Sequence, residues 1–169
     1  VNKAVSNLKK MDNSTDPLIF LTALEVLFAW REHEPHRELM KSKLNEFKDK
    51  ILSGNDTANG AFLYMLTDKF PEMNDLIIYV CRQLFRGDRA EDAWGRDTAA
   101  VLLWERDVKP RRIRDYIRDH ILSDLPYERY MTNYVTRILN SVDDQTTIES
   151  WEDQLIKIFL NVSINEELG

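Results

Sequence analysis

Apolar residues recur at intervals of three and four along this chain, and this spacing limits its fold more than any other feature. A clear series is Met73, Leu76, Ile77, Val80 and Leu84. An α-helix brings residues three and four positions apart onto one face, whereas a half-buried strand needs an alternation of two, which the chain lacks. Five glycines and five prolines among 169 residues are also few for a fold rich in tight turns. The sequence therefore predicts an all-α fold.

Prolines and glycines mark where the helices begin and end. We predict eight helices, near 17–32, 35–53, 58–70, 71–86, 90–107, 110–123, 126–142 and 147–162. Asp16 is a candidate N-cap, Thr146 with Glu149 forms a candidate capping box, and Gly54 a candidate left-handed residue after a helix. A chain of this length can bury a core as one domain. We expect a single all-α domain at 17–162, an N-terminal extension at 1–16 that includes a frayed helix, and a C-terminal tail at 163–169.

The apolar side of each predicted helix gives a predicted core. It consists of Leu24, Phe28, Leu44, Phe47, Leu66, Leu76, Val80, Leu103, Ile117, Tyr134, Ile138, Leu155 and Phe159. Truncation of Ile138 or Phe159 to Ala is then expected to cost about 2–5 kcal/mol.

The predicted helices can be grouped into consecutive antiparallel hairpins that recur about every 32–41 residues. In this spacing the chain resembles HEAT-type and MIF4G-type helical-hairpin repeat domains over residues 17–162. The resemblance implies a scaffold that presents a groove to a partner, or an RNA-binding domain of the MIF4G kind. A compact, nonrepeating bundle of eight helices explains the same spacing, and both architectures stay open.

The charges are unevenly distributed. The net charge is −6, yet residues 82–118 carry ten basic and seven acidic side chains, while residues 119–169 carry three and ten. We predict a partner-binding surface in the basic middle, formed by Arg96, Lys109, Arg111, Arg112, Arg114 and Arg118. Arg111, Arg112 and Arg114 are expected on one exposed helix face. If these cations instead pair with neighbouring carboxylates, the interface is expected on an acidic face made of Asp143, Asp144, Glu149, Glu152 and Asp153.

The sequence Trp94-Gly95-Arg96 resembles the first homology motif of Bcl-2-like apoptosis regulators. Leu63, Thr67, Asp68 and Phe70 resemble their helical death motif, and Trp151 to Phe159 their second homology region. The resemblance implies that Arg96 would bind a helical death peptide. In contrast to that family, charges at Asp97 and Glu105 interrupt the helix that should follow Trp94. The alternative is that Trp94 anchors a helical hairpin and Gly95 permits close approach of two helices.

No known catalytic motif occurs in the chain. It lacks a glycine-rich phosphate loop, GxSxG, HExxH and paired cysteines, so we expect neither enzyme activity nor a cofactor. His33, Glu34, His36 and Glu38 have metal-binding side chains, but Pro35 breaks the helical geometry between the histidines, and we expect no metal site.

The expected compartment is intracellular, either cytoplasmic or nuclear. Cys81 is the only cysteine, so it has no partner for a disulfide within the chain, and it lies in an apolar run. No apolar stretch has the length of a membrane span, and residues 1–10 do not resemble a signal peptide. Because the chain begins at Val1 rather than Met, we interpret it as a fragment of a longer protein.

Together these features predict a noncatalytic protein–protein interaction module, a helical scaffold or adaptor in a multiprotein complex. The expected partner is a helix or an acidic peptide of another protein. Nucleic acid is the alternative, and no membrane partner is expected.

Overall fold

The computed structural model describes residues 2–12, 14–29, 34–86, 93–123, 129–142 and 144–167. Within these ranges the chain has nine α-helices and no strand, so the all-α prediction is confirmed. The helices are α1 (Asn2–Lys10), α2 (Pro17–Phe28), α3 (Arg37–Leu52), α4 (Asp56–Tyr64), α5 (Asn74–Arg86), α6 (Ala93–Trp104), α7 (Arg111–Tyr116), α8 (Arg129–Asn140) and α9 (Gln145–Glu167). A 3-10 turn, Glu34–His36, precedes α3, and π-helical turns extend α4 (Met65–Lys69) and α7 (Ile117–Ile121).

All eight predicted helices have a counterpart, and α1 is the helix that was expected within the N-terminal extension. It buries Val5 and Leu8 and contacts α2. The chain divides into two compact units, Val1–Gly95 and Arg96–Gly169. No helix among the described residues is both long and apolar enough to span a bilayer.

The first unit is organised around α3. Phe20 of α2 stacks on Phe47 of α3 with 4.2 Å between ring centroids, and both side chains are fully buried. At the other end of α3, Arg37 donates two hydrogen bonds of 3.0 Å to Glu72 and one of 2.7 Å to the carbonyl oxygen of Lys69. Because these partners lie more than 30 residues along the chain, Arg37 attaches α3 to the turn before α5.

The second unit packs two tryptophans at its centre. Trp104 and Trp151 are fully buried with their ring centroids 5.1 Å apart, and Trp104 Nε1 donates to the carbonyl oxygen of Ile138 at 3.2 Å. Arg137 of α8 makes a bidentate contact with Glu105, at 2.5 and 2.6 Å, just after α6 ends. These contacts join α6, α8 and α9 in one unit.

Ten of the thirteen predicted core residues are buried. Phe28 and Leu155 are only half-buried, so their assignment to the core was wrong, and the side chain of Phe159 lies outside the described part. Leu27 is buried at the end of α2 instead of Phe28, because a one-residue difference turns a helical side chain by about 100°.

The helix ends confirm one predicted cap and correct two other predictions. Asp16 accepts hydrogen bonds from the N–H groups of Leu18 and Ile19, as an N-cap does. At α9 the capping residue is Asp144 rather than Thr146, because its carboxylate accepts from both the N–H and the hydroxyl of Thr147. Gly54 does not have a positive φ. Its need for glycine is steric, since a Cβ there would lie 2.9 Å from the carbonyl oxygen of Ile51.

The end of α6 came earlier than predicted. The helix stops at Trp104, and Asp107 takes the left-handed conformation, with φ at 57°. Val108 then donates to the carbonyl oxygen of Leu103 at 3.0 Å. Aspartate tolerates this conformation better than most side chains, but it is a weaker sequence signal than glycine.

Candidate protein-interaction surfaces

Arg111 and Arg112 are the most accessible residues of the predicted basic surface. They occupy the first two positions of α7, directly after Pro110. The Arg111 side chain is 92% exposed, and its Nε lies 3.6 Å from the carboxylate of Asp115 one turn later. Arg112 is also exposed. Both arginines therefore lie at the surface of α7.

Lys109 is used inside the second unit. Its Nζ donates to the carbonyl oxygen of Ser141 at 2.8 Å, lies 3.1 Å from Asp107 and is 5.0 Å from the centroid of the Trp104 ring. The side chain is only 14% exposed. A partner would have to break these contacts to reach the ammonium group, so the geometry of Lys109 is that of a packing residue.

Arg114 does not share the exposed face of Arg111 and Arg112, contrary to the prediction. It is half-buried, and its Nε is fully buried without a hydrogen-bond partner among the described residues. The reason is helical geometry, because Arg114 lies beside Ile113 and Ile117, which form the buried side of α7. Arg114 also acts electrostatically on Asp144. The pKa of that carboxyl lies below its usual value mainly because it accepts hydrogen bonds from the hydroxyl and the N–H of Thr147, and the positive charge of Arg114 lowers it further.

Arg118 pairs with two carboxylates of its own helix. Its guanidinium donates to Asp119 at 2.6 and 2.9 Å and lies 3.5 Å from Asp115. The hydrogen bond from Arg118 is the main reason that the pKa of Asp119 lies below its usual value. At this end of α7 neighbouring carboxylates therefore neutralise the arginine, which is the alternative to a basic partner surface that the sequence left open. Arg96, in the first part of α6, is half-buried.

The segments that resemble Bcl-2 motifs occupy ordinary packing positions. Gly95 is buried in the first turn of α6, and the helix buries every residue from Ala99 to Trp104. In the second segment, Leu63 and Phe70 are buried and Asp68 pairs with Lys69 at 2.6 Å. The side chains of Trp94 and Phe159 lie outside the described part.

The histidine-rich segment does not form a metal centre in the part that is described. Glu34 lies 3.5 Å from Arg37, Glu38 pairs with Lys41 at 2.8 Å, and His33 lies outside the described residues. His36 lines a shallow cavity beside α1. Among the described residues, no group of three or more histidine, cysteine or acidic side chains is placed to hold a metal ion.

An exposed apolar surface on α9, which we call the α9 stripe, was missed by the sequence analysis. It consists of Ile148, Ile156 and Leu160, which are 43%, 49% and 59% exposed, with half-buried Leu155 beside them. Ile148, Leu155 and Ile156 line a shallow cavity of about 190 Å³ together with Gln145, Glu149 and Glu152. Two of the acidic residues named in the sequence analysis, Glu149 and Glu152, thus lie at an apolar surface. The sequence signal that could have revealed this surface is a second line of apolar residues in the predicted last helix, beside Trp151.

A second exposed apolar surface, the α2 face, lies in the first unit. Leu18, Ile19 and Val26 are 36%, 60% and 47% exposed. Residues 17–28 contain a single charged residue, Glu25, and a helix that is apolar all round is typically buried on all sides. The outward side of α2 therefore has the composition of a contact surface.

The comparisons with known proteins do not relate the chain to any family. No family model matches it, and neither a curated protein nor a solved structure matches it. The assignment of function therefore depends on the surfaces described above.

Proposed function

We propose that this protein is a noncatalytic protein–protein interaction module, a helical scaffold or adaptor in a multiprotein complex. The observation that carries the proposal is the distribution of exposed apolar side chains. In the described part of the chain, six of the seven large hydrophobic residues that are exposed lie on α2 and α9. Isolated exposed hydrophobic residues are normal, whereas concentrated ones mark contact sites. A partner that covers them gains roughly 25 cal/mol per Å² of apolar surface removed from water.

The noncatalytic part of the proposal is supported by the absence of catalytic motifs from the sequence and by the shape of the cavities. Among the described residues, the cavity on α9 and a further one on α5, lined by Asp75, Tyr79, Arg82 and Arg86, each follow a single helix, whereas the shallow cavity at His36 is lined also by α1. An active site usually brings polar groups from several elements into one deep pocket. A HEAT-type or MIF4G-type repeat is the architecture that we propose for such a scaffold, in keeping with the contacts of α3 with α2, α4 and α5 in the first unit.

RNA binding is the second candidate function. The observation in its favour is the exposed pair Arg111 and Arg112. The net charge of −6 and the internal contacts of Lys109 and Arg118 reduce the number of cations available to phosphates. A Bcl-2-like peptide-binding function has weaker support, since α6 ends after 12 residues.

Three double variants test the proposal. In the α2 variant Ile19 and Val26 are replaced by Ser, in the α9 variant Ile156 and Leu160 are replaced by Ser, and in the control Arg111 and Arg112 are replaced by Ser. Proteins that copurify stoichiometrically with the wild type are quantified for each variant by mass spectrometry, and thermal unfolding verifies that each is folded. We expect the α2 or the α9 variant to lose a partner about tenfold and the control to retain it.

Two results would contradict the proposal. In the first, all three variants retain every partner. In the second, only the arginine control loses its partners, and ribonuclease treatment of the wild type removes the same proteins. The second result favours RNA binding, as does an affinity for labelled RNA that falls steeply with salt.

A further inference from the structure

The α9 stripe has the length and spacing of a docking site for a helix. Ile148, Ile156 and Leu160 lie eight and four residues apart, so they stay on one side of α9 for about three turns, roughly 18 Å, with the exposed Glu152 between Ile148 and Ile156. The opposite side of the helix is anchored, because Thr147 and Trp151 are fully buried. The stripe is thus an exposed apolar line on a helix whose other face is fixed in the second unit.

The charge around the stripe is negative. Glu152 is exposed between Ile148 and Ile156, Glu149 and Asp153 are exposed beside the apolar residues, and Lys157 is the one basic residue between positions 145 and 160. The net charge of this segment is therefore −2. The pattern continues beyond the segment, since residues 119–169 carry three basic and ten acidic side chains. Any partner must match both the apolar line and this acidic rim.

We propose that the α9 stripe docks an amphipathic helix of another protein that carries Lys and Arg beside its apolar face. An apolar line along a helix fits the ridges of a second helix, whose anchor residues are spaced by three and four. Basic residues flanking those anchors would meet Glu149, Glu152 and Asp153, which favours association and selects against acidic partners.

The acidic rim also distinguishes this partner from other occupants. A second copy of α9 would bring two sets of three carboxylates together, and an acidic peptide or an anionic membrane surface would be repelled in the same way. This proposal rests on the proposed function and specifies the chemistry of the partner at one of the two apolar surfaces.

The test uses two synthetic helical peptides and the full chain. Both peptides carry Leu at a spacing of three and four. One has Lys and Arg on the flanking positions and the other has Glu at the same positions. Binding of the fluorescently labelled peptides is measured by anisotropy at low and high salt. We expect the basic peptide to bind, the acidic peptide not to bind, and the affinity for the basic peptide to fall at high salt.

Variants of the chain locate the site. Replacement of Ile156 and Leu160 by Ser should weaken binding of the basic peptide by about fivefold to tenfold or more. Replacement of Glu149 and Glu152 by Gln should weaken binding mainly at low salt. The matched control replaces Ile19 and Val26 of the α2 face by Ser and should change the affinity by less than about twofold.

The proposal is overturned if both peptides bind equally, if neither binds, or if the α9 variant binds the basic peptide as the wild type does. Self-association of the wild type that the α9 variant abolishes, without binding of the basic peptide, would also overturn it and make a second copy the occupant. If the peptide fails to bind but the α2 or α9 variant still loses a copurifying partner, this proposal fails while the proposed function stands.

Discussion

Truncation of Ile138 should destabilise the second unit strongly. The side chain is fully buried, and its backbone carbonyl accepts the hydrogen bond from Trp104. Replacement by Ala removes three carbon atoms, which corresponds to about 2.4 kcal/mol at about 0.8 kcal/mol for each buried carbon. A cavity that does not collapse adds up to roughly 2 kcal/mol. We expect Ile138→Ala to lower the free energy of unfolding by about 2.5–4 kcal/mol.

The assay is urea unfolding followed by tryptophan fluorescence, since Trp104 and Trp151 lie within the same core. Two further variants calibrate the result. Ile138→Val removes one carbon atom and should cost about 0.5–1.5 kcal/mol. Ile148→Ala makes the same chemical change as Ile138→Ala at a position that is 43% exposed, so its cost should be clearly smaller.

Two outcomes would refute this reasoning. A cost below about 1 kcal/mol for Ile138→Ala would mean that the inward side of α8 has been misassigned. Equal costs for Ile138→Ala and Ile148→Ala would show that burial does not distinguish the two positions. A change in the denaturant slope would indicate that the variant alters the surface exposed on unfolding.

Two further predictions concern charged residues of the second unit. Lys109→Met should cost about 1.5–3 kcal/mol, because it removes the charged hydrogen bond to the carbonyl oxygen of Ser141, whereas Arg111→Met should change the stability by at most about 0.5 kcal/mol. Thermal unfolding compares the two, and equal effects would contradict the assignment of Lys109 to packing. Asp144 has a lowered pKa because it accepts hydrogen bonds from Thr147, so its contribution to stability is present above the unfolded pKa and is lost as pH falls through the folded pKa. The difference in melting temperature between the wild type and Asp144→Ala should therefore be largest near neutral pH and shrink below about pH 4, and a constant difference would exclude this linkage.

The sequence predicted the helices better than the candidate site. Every helix that was predicted from the spacing of apolar residues has a counterpart in the structure, and Asp16 caps α2 as predicted. Ten of the thirteen predicted core residues are buried. At α9 the same pattern is ambiguous, because apolar residues lie on more than one side. Packing of Trp151 against Trp104 places one side in the core and leaves Ile148 and Ile156 exposed. The α9 stripe therefore could not be assigned from the sequence.

The predicted basic surface shows the same limit. The sequence located a cluster of cations between Lys109 and Arg118, and local spacing could suggest the pairing of Arg118 with Asp115 and Asp119. It could not show that Lys109 contacts Ser141, which lies 32 residues further along the chain.

By itself, then, the sequence determined the all-α class, the approximate helix boundaries and the separation of a basic middle from an acidic C-terminal segment. These properties depend on residues within one or two turns of each other, where the geometry of the helix is already known. The tertiary structure decided which cations are held internally and which apolar lines stay exposed. Both depend on contacts such as Trp104 with Trp151 and Lys109 with Ser141, which form only when distant segments meet and bury their side chains together.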